Sequence, residues 1–313
     1  MRRVEPLAPE PLLRQRFTTL SRQLAGVRTG DLRAVHQARV ATRRLREALN
    51  LAPAGRRGRK AREAVRVVTQ ALGPVREIDV MLQTLQALAA SKDASPAAAR
   101  ALRLALQRDR RRHHRKALAA IEDLNLPRVR RRLLDFLVAS TPVTGGRPQP
   151  LRRADAMAAR RRMARRAEAL RRAIDDAAAL YVPERLHEVR IAVKKLRYAL
   201  EIVVAMRTTG SGRRPAPRRP GGPRRASPDA ARLIALKRAQ ESLGRLHDFE
   251  VLIVRIRELQ GTADAPDLRV SGDLDRLVRA LETECRLLHA HYMTQRAQLL
   301  AICESLGRRL PSG

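Results

Sequence analysis

The sequence predicts an all-α protein built from two helical bundles. Nearly every structured segment of the 313 residues places its apolar residues at the helical period, and no run alternates convincingly at the period of a β-strand. Two motifs each occur twice and in the same order, which indicates an internal duplication with two equivalent halves. The fold class therefore rests on the helical periodicity and on the repeat.

Periodicity and capping signals define the predicted helices in chain order. Asp31 is the expected N-cap of the second helix, since a short acidic side chain accepts hydrogen bonds from the free N–H groups of the first turn. Pro183 is expected near the first turn of the eighth helix, where its missing N–H costs least. The predicted helices are 10–25, 31–51, 59–72, 75–90, 96–124, 127–140, 151–181, 184–206, 229–244, 246–260 and 272–306.

One large domain, residues 10–306, is expected to contain both halves. Residues 207–228 are rich in proline, glycine and arginine, and such a composition cannot build a core, so this insertion is predicted to be disordered. The other predicted divisions are an N-terminal tail at 1–9, a first half at 10–140, a linker at 141–150, a second half at 151–306 and a C-terminal tail at 307–313.

The charge balance indicates a polyanionic partner. Lys and Arg total 66 against 31 Asp and Glu, a net charge of +35, and such an excess repels itself within a compact fold. Proteins that bind single-stranded nucleic acid usually stack bases on aromatic rings, but this chain has three Tyr, three Phe and no Trp. The expected anion therefore either lacks bases or has bases that are not contacted.

The first repeated motif is a basic helix. His-Gln-Ala-Arg-Val-Ala-Thr-Arg-Arg-Leu-Arg begins at His36, and His-Glu-Val-Arg-Ile-Ala-Val-Lys-Lys-Leu-Arg begins 151 residues later at His187. On a helical wheel the cations fall within an arc of about 80° and form a stripe about 15 Å long, which suits a linear polyanion. The stripes contain His36, Arg39, Arg43 and Arg46 in the first copy, and His187, Arg190, Lys194 and Arg197 in the second. The neighbouring arc of the first helix is apolar and predicted to face the core, with Val35, Ala38, Ala41, Leu45, Ala48 and Leu49.

The second repeated motif is a Leu-Gly pair followed by acidic residues. The copies begin at Gln70 and Glu241, an offset of 171 residues, and the insertion accounts for the extra 20. We expect a helix to end at each Leu-Gly pair and the next helix to begin with acids that complement its dipole. Orienting arginines is a second role for these acids, and catalysis by paired carboxylates is the least favoured. The acids are Glu77, Asp79, Asp248 and Glu250.

Together, the motifs His-x-x-Arg-[Val/Ile]-x-x-[Arg/Lys]-[Arg/Lys]-Leu-Arg and Leu-Gly-x-x-x-[Asp/Glu]-x-x-Val strongly resemble the CHAD family of conserved-histidine α-helical domains. The resemblance extends from about Glu10 to Leu306, and the stretch from Lys194 to Glu201 is especially close. It implies two bundles related by a pseudo-twofold axis, with a basic cavity or pore between them. It also implies binding of inorganic polyphosphate and association with polyphosphate granules.

The resemblance carries binding roles to the matching positions of this chain. This chain departs from the family pattern at Glu47 and Asn50, where the second half has Tyr198 and Glu201. The first half is therefore expected to bind polyphosphate less tightly or differently. The implied polyphosphate-binding residues are His36, Arg39, Arg43, Arg44, Arg46 and Arg66 in the first half, and His187, Arg190, Lys194, Lys195, Arg197 and Lys237 in the second.

Enzymatic and metal-binding patterns are weak, so we expect a non-enzymatic protein without a cofactor. No lysine precedes Ser or Thr, which excludes a P-loop. The stretch 282–286 only approximates the Glu-x-Glu-x-Lys of the triphosphatase domains fused to some relatives, and it lies in a helical pattern. Cys285, His289 and His291 could begin a metal site, but zinc takes three or four ligands, and core packing is favoured. Cys285 and Cys303 are expected to be reduced.

Two alternatives to polyphosphate binding stay open at this point. The basic surface could bind nucleic acid without sequence preference, or the chain could hydrolyse or transfer phosphate. Other arginines, at 100–116 and 160–172, are interpreted mainly as solvated helix faces. Neither a signal peptide nor a segment long enough to cross a bilayer is found, which predicts a soluble, cytoplasmic protein.

Overall fold

All regular structure in the described part of the chain is α-helical, as predicted. The computed structural model describes residues 9–49, 56–90, 94–125, 127, 131, 153–210, 227–262 and 266–307. The helices are α1 (Pro9–Arg28), α2 (Leu32–Leu49), α3 (Arg56–Ala90), α4 (Pro96–Glu122), α5 (Arg153–Ala177), α6 (Pro183–Gly210), α7 (Pro228–Gln260) and α8 (Leu268–Gly307).

The chain forms two compact units. Unit 1 contains Met1–Gln149 and Leu259–Leu274, so it holds α1 to α4 with the beginning of α8. Unit 2 contains Pro150–Glu258 and Asp275–Gly313, so it holds α5, α6, most of α7 and the rest of α8. The pseudo-twofold relation between the halves and the basic cavity between them stay predictions.

The core of unit 1 receives the apolar face of α2. Val35, Ala38 and Leu45 are fully buried together with Phe17 of α1 and Leu72 of α3. Burying one such leucine or valine stabilises a fold by about 1.5–3 kcal/mol, so this face determines which side of α2 remains for the cations. The predicted apolar arc of α2 is therefore confirmed at these positions.

Unit 2 has a core of the same kind around α6. Val189, Val193 and Leu196 are buried in one cluster with Leu170 of α5 and Leu243 of α7. The buried residues of α6 recur three to four positions apart, which is the spacing of one helix face. The basic residues of the motif consequently lie beside this face rather than within it.

The expected helix ends at the two Leu-Gly pairs are wrong. α3 continues through Gly73 and Pro74, and α7 continues through Gly244. An interior proline costs a helix about 3 kcal/mol, but Leu72, two residues before Pro74, and Val75, directly after it, are completely buried. Continuous packing of the apolar stripe outweighs the local cost, and the acids after each glycine lie inside a long helix instead of at its start.

The predicted starts of the second and eighth helices agree with the structure. Asp31 caps α2 by accepting hydrogen bonds from the N–H groups of Arg33 and Ala34 at 3.1 and 3.2 Å, and α6 begins at Pro183. The predicted insertion begins with residues that belong to α6, up to Gly210, and its stretch 211–226 lies outside the described residues, as do the linker 141–150 and nearly all of the predicted helix 127–140. In the described chain, no helix combines the length and apolarity that crossing a membrane requires.

Candidate functional site

In unit 1 the cationic stripe of α2 lies against α3. The Nη1 atom of Arg39 donates a hydrogen bond to the carbonyl oxygen of Thr69 at 2.9 Å. A Cβ atom built on Gly73 would lie 3.5 Å from the same Nη1 atom, an ordinary van der Waals separation, so this guanidinium packs beside the Leu-Gly motif. The half-buried Arg39 is thus held over α3 by a hydrogen bond to the backbone that does not neutralise its charge.

Like charges surround Arg39 and His36. Burial lowers the pKa of Arg39, and Arg76, Arg43 and Arg46 lower it further, with Glu77 acting in the opposite direction. Burial also lowers the pKa of His36, followed by the effects of Arg76, Arg43 and Arg39. The fold therefore brings several cations close together, and a bound anion would reduce the repulsion between them. We call His36, Arg39, Arg43 and Arg76 the arginine cluster.

Unit 2 pairs the motif histidine of α6 with a histidine of α7. The Nδ1 atoms of His187 and His247 are 3.2 Å apart, and their ring centroids are 4.4 Å apart. Burial, then Arg190 and His187, lower the pKa of His247 to about 4, so its ring is neutral at pH 7. We call His187, His247 and Arg190 the histidine cluster.

Arg197 at the far end of the α6 stripe is already partnered. Its Nε atom donates to Oε1 of Gln240 at 2.9 Å, its Nη1 atom pairs with Glu201, and its guanidinium lies 4.6 Å from the centroid of the Tyr198 ring. Tyr198 and Glu201 stand at the positions where the first half has Glu47 and Asn50, and here they contact the motif arginine. Glu201 thus compensates part of the positive charge of unit 2.

Four of the sequence-predicted binding residues lie away from these two clusters or carry a neighbouring acid. Arg44 is exposed and acts on Arg16 of α1, so it lies toward α1 rather than α3, and Lys195 is exposed on α6. Arg66 pairs with Glu63 at 2.6 Å, and Lys237 pairs with Glu241 at 3.5 Å, with all four side chains at least half exposed. These are solvated surface positions, so we do not place them in the clusters.

Arg76 and His247 join the clusters although neither is among the binding residues that the sequence predicts. Both follow the Leu-Gly motif, 171 residues apart, and therefore occupy corresponding positions of the second repeat. The expected helix end at each Leu-Gly pair separated them from the motif histidines. A continuous helix through Gly73 and Gly244 would have placed both residues within reach of the basic stripe.

Comparison with known proteins identifies the family and supports the fold. The family model described as the CHAD domain matches residues 11–213, about two thirds of the chain. The chain belongs to the CHAD domain family. The crystal structure of the CHAD domain from the plant Ricinus communis matches with a TM-score of 0.58 and 23% identity, covering 97% of this chain and 92% of that one.

A second solved structure with this fold is PptA from Streptomyces chartreusis. It matches with a TM-score of 0.58 and 18% identity over 92% of this chain and 97% of that one. At these identities the two structures support the fold rather than individual residue roles. Among curated proteins no sequence matches.

The acids that follow the Leu-Gly pairs of this CHAD domain hold neighbouring segments of the chain in place. They lie inside long helices, so the prediction that they lie at helix starts is wrong. Asp79 is completely buried, and its Oδ1 atom accepts a hydrogen bond from Nε of Arg110 in α4 at 2.6 Å. The same guanidinium donates to the carbonyl oxygen of Gly30 at 2.9 Å, and His114 contacts the carbonyl oxygen of Val27 at 2.7 Å. This network holds the turn from which α2 begins.

In unit 2 the corresponding turn, just before α6, is held by different contacts. The hydroxyl of Tyr181, just before α6, donates to Oε1 of Glu250 at 2.8 Å, and its ring meets His289 edge-on at 5.4 Å between centroids. Burial raises the pKa of the Cys285 thiol to about 11, which makes it a packing residue rather than a nucleophile. The described side chains contain no group of three potential metal ligands, so Cys285 and His289 gain no third partner there.

Proposed function

We propose that this CHAD domain binds inorganic polyphosphate without chemical turnover, through the arginine cluster of unit 1 and the histidine cluster of unit 2. The observation that carries the proposal is the crowding of Arg39, Arg43, Arg76 and His36 on two packed helices. Groups of one sign that lower the pKa values of their neighbours gain stability when an anion is placed among them.

The chemistry of these side chains suits phosphate oxygens. An arginine offers a planar array of N–H donors that matches phosphate geometry, and charge-assisted hydrogen bonds of this kind are the stronger ones in proteins. Successive phosphates of a linear chain could follow the stripe on α2 or α6. The family resemblance points to the same ligand and to association with polyphosphate granules.

Nucleic acid is the second candidate ligand, since the net charge of +35 alone would attract any polyanion. The two clusters contain no Phe or Trp, and the ring of Tyr198 is engaged by the guanidinium of Arg197. Stacking on aromatic rings is a common part of single-strand recognition, and the imidazoles of His36, His187 and His247 are the only aromatic rings within the clusters as defined. We therefore favour a ligand that consists of phosphate alone.

A competition titration near physiological salt tests the proposal. Labelled long-chain polyphosphate is bound to the full chain and displaced by unlabelled polyphosphate, duplex DNA or RNA at equal phosphate concentration. We expect efficient displacement by polyphosphate alone. Equal displacement by nucleic acid would replace the proposal with generic polyanion binding, and shortening of the polyphosphate in the presence of a divalent ion would show an enzyme instead.

A further inference from the structure

One guanidinium joins the start of α2 to the helix that carries Arg76. Arg110 of α4 donates from Nε to Oδ1 of Asp79 in α3 at 2.6 Å, and from Nη2 to the carbonyl oxygen of Gly30 at 2.9 Å. Gly30 lies in the turn before α2, and Asp79 follows Arg76 by about one helical turn. The ion pair is therefore connected to both helices that supply the arginine cluster.

We propose that Asp79 and Arg110 are positioning residues for polyphosphate binding. Their ion pair fixes α2 on α3, with the arginine cluster in the geometry that the ligand contacts. The proposal rests on the proposed function, because it concerns how the arginine cluster of that same site is held in place.

The ion pair lies inside unit 1. The side chain of Asp79 is completely buried, and 17% of the Arg110 side chain is exposed. The Nε and Nη2 atoms of Arg110 both donate to groups of the protein. We therefore expect this pair to affect a ligand through the residues that it holds in place, and not by contact with the ligand.

The arginine cluster needs such a restraint because its members repel one another. Burial and then Arg76 lower the pKa values of both His36 and Arg39, so cations of α2 lie close to a cation of α3. Until an anion binds, this repulsion acts to separate the two helices. The buried apolar face of α2 opposes it without directional preference, whereas two hydrogen bonds from one planar guanidinium define both distance and direction.

The geometry of the turn passes this restraint on to α2. Gly30 has a φ of 76°, which glycine adopts without steric cost, and a Cβ atom built there would lie 3.6 Å from Cε1 of His114 and 3.8 Å from Nη1 of Arg110. Asp31 follows directly and caps the first turn of α2. A shift of Gly30 would therefore move the beginning of the helix that carries His36.

Unit 2 links the same two repeat positions by other means. Tyr181 follows Gly30 by 151 residues and Glu250 follows Asp79 by 171 residues, which are the offsets of the two motifs. The hydroxyl of Tyr181 donates directly to Glu250 at 2.8 Å. Both units thus connect the turn before the basic helix to an acid that follows the Leu-Gly pair, although the residues differ. This agreement supports a role for the connection itself.

Substitutions that keep the net charge at +35 separate positioning from stability. Asp79→Leu with Arg110→Met replaces the ion pair by apolar side chains, an exchange that is often neutral or stabilising for a buried pair. Arg110→Lys keeps both charges but replaces the planar group of donors by one flexible ammonium. Glu168→Gln with Arg171→Gln removes an exposed ion pair of α5 and is the matched control.

Affinity of the full chain for long-chain polyphosphate is measured by fluorescence titration at several salt concentrations, after urea unfolding has shown which variants are folded. We expect Asp79→Leu with Arg110→Met to bind at least about fivefold more weakly, which is the loss of one contact. Its slope of log affinity against log salt concentration should be smaller by about 0.8. Arg110→Lys should bind about threefold more weakly, and the control should bind like native protein.

Native affinity and native salt slope in folded Asp79→Leu with Arg110→Met would overturn the proposal, because the pair would then have a structural role alone. If that variant does not fold, Arg110→Lys decides, and native affinity in it would overturn the proposal. An equal loss in the control would do the same, since exchange of any ion pair would then weaken binding. Absence of polyphosphate binding by native protein would instead reject the proposed function.

Discussion

Unit 1 and unit 2 present the same basic motif with different electrical surroundings. In unit 1 the motif residues meet Arg76, and Glu77 is the acid that acts on Arg39. In unit 2 the motif histidine meets His247, and Arg197 is partly neutralised by Glu201. The motif therefore determines where cations lie along a helix, and the neighbouring helix determines how much charge they present to a ligand.

The largest expected difference between the units is in the free energy of unfolding that is lost when the acid holding each turn is replaced. Replacing Asp79 with alanine leaves the mostly buried guanidinium of Arg110 without its carboxylate, which should cost about 3–5 kcal/mol of unfolding free energy. Replacing Glu250 with alanine removes a hydrogen bond from the exposed Tyr181, which should cost about 1 kcal/mol. Urea unfolding measures both.

The exposed Glu122 on α4 provides the matched control for these acids. Glu122→Ala should leave the midpoint of unfolding nearly unchanged, since a surface carboxylate contributes little. Equal losses of unfolding free energy in the Asp79 and Glu250 variants would show that the two turns are held with similar strength. The proposed difference between the units in the stability of these turns would then be wrong.

Loss of two cations from each unit should separate their contributions to binding. Arg43→Gln with Arg76→Gln removes two fixed charges and should weaken polyphosphate binding about 30-fold at pH 8, or about 1 kcal/mol for each contact. Lys194→Gln with His247→Gln removes one charge at that pH, because the pKa of His247 is about 4, and should weaken binding about fivefold. Fluorescence titration measures both, and the reverse order would contradict our view of unit 1 as the more highly charged site.

The salt dependence of the same variants counts the charges directly. Each cation that contacts the polyanion adds about 0.7–0.9 to the slope of log affinity against log salt concentration. The unit 1 pair should therefore lower the slope by about 1.6 and the unit 2 pair by about 0.8. Slopes that change by the same amount in both variants would mean that His247 carries a charge in the complex even at pH 8.

The smallest effects are expected at the outlying positions. Arg66→Gln and Lys237→Gln remove exposed side chains that already pair with Glu63 and Glu241, so affinity should change less than twofold. A titration under the same conditions as for the Arg43 variant tests this. A tenfold loss at either position would return these residues to the binding site, as the family resemblance implied.

Much of the fold follows from the sequence because its signals are local. The apolar spacing of α2 predicts the buried face that contains Val35 and Leu45, and Asp31 predicts the cap. The predicted helix ends at Gly73 and Gly244 were wrong because packing along a whole helix outweighed the local signal of the Leu-Gly pairs. Burial of Leu72, Val75, Leu243 and Leu246 decides the outcome, and those contacts are with distant parts of the chain.

The sequence predicts the candidate site residues on α2 and α6, but not the residues of the neighbouring helices that lie beside them. The spacing of His36, Arg39 and Arg43 places them on one stripe, whereas Arg76 joins them only through the packing of α3 on α2. The pairing of His187 with His247 depends on the same kind of contact in unit 2. Periodicity within a helix carries no information about such partners, although the shared position of Arg76 and His247 in the second repeat was available.

The central claim is that the built clusters, and not the net charge of +35, hold the ligand. Polyphosphate affinity at near-physiological salt should be compared between two variants with equal loss of charge. One replaces Arg39, Arg43 and Arg76 with glutamine, and the other replaces the exposed Arg160, Arg161 and Arg165 of α5. We predict a loss of at least tenfold in the first and less than threefold in the second. Equal losses would show that net charge alone governs binding.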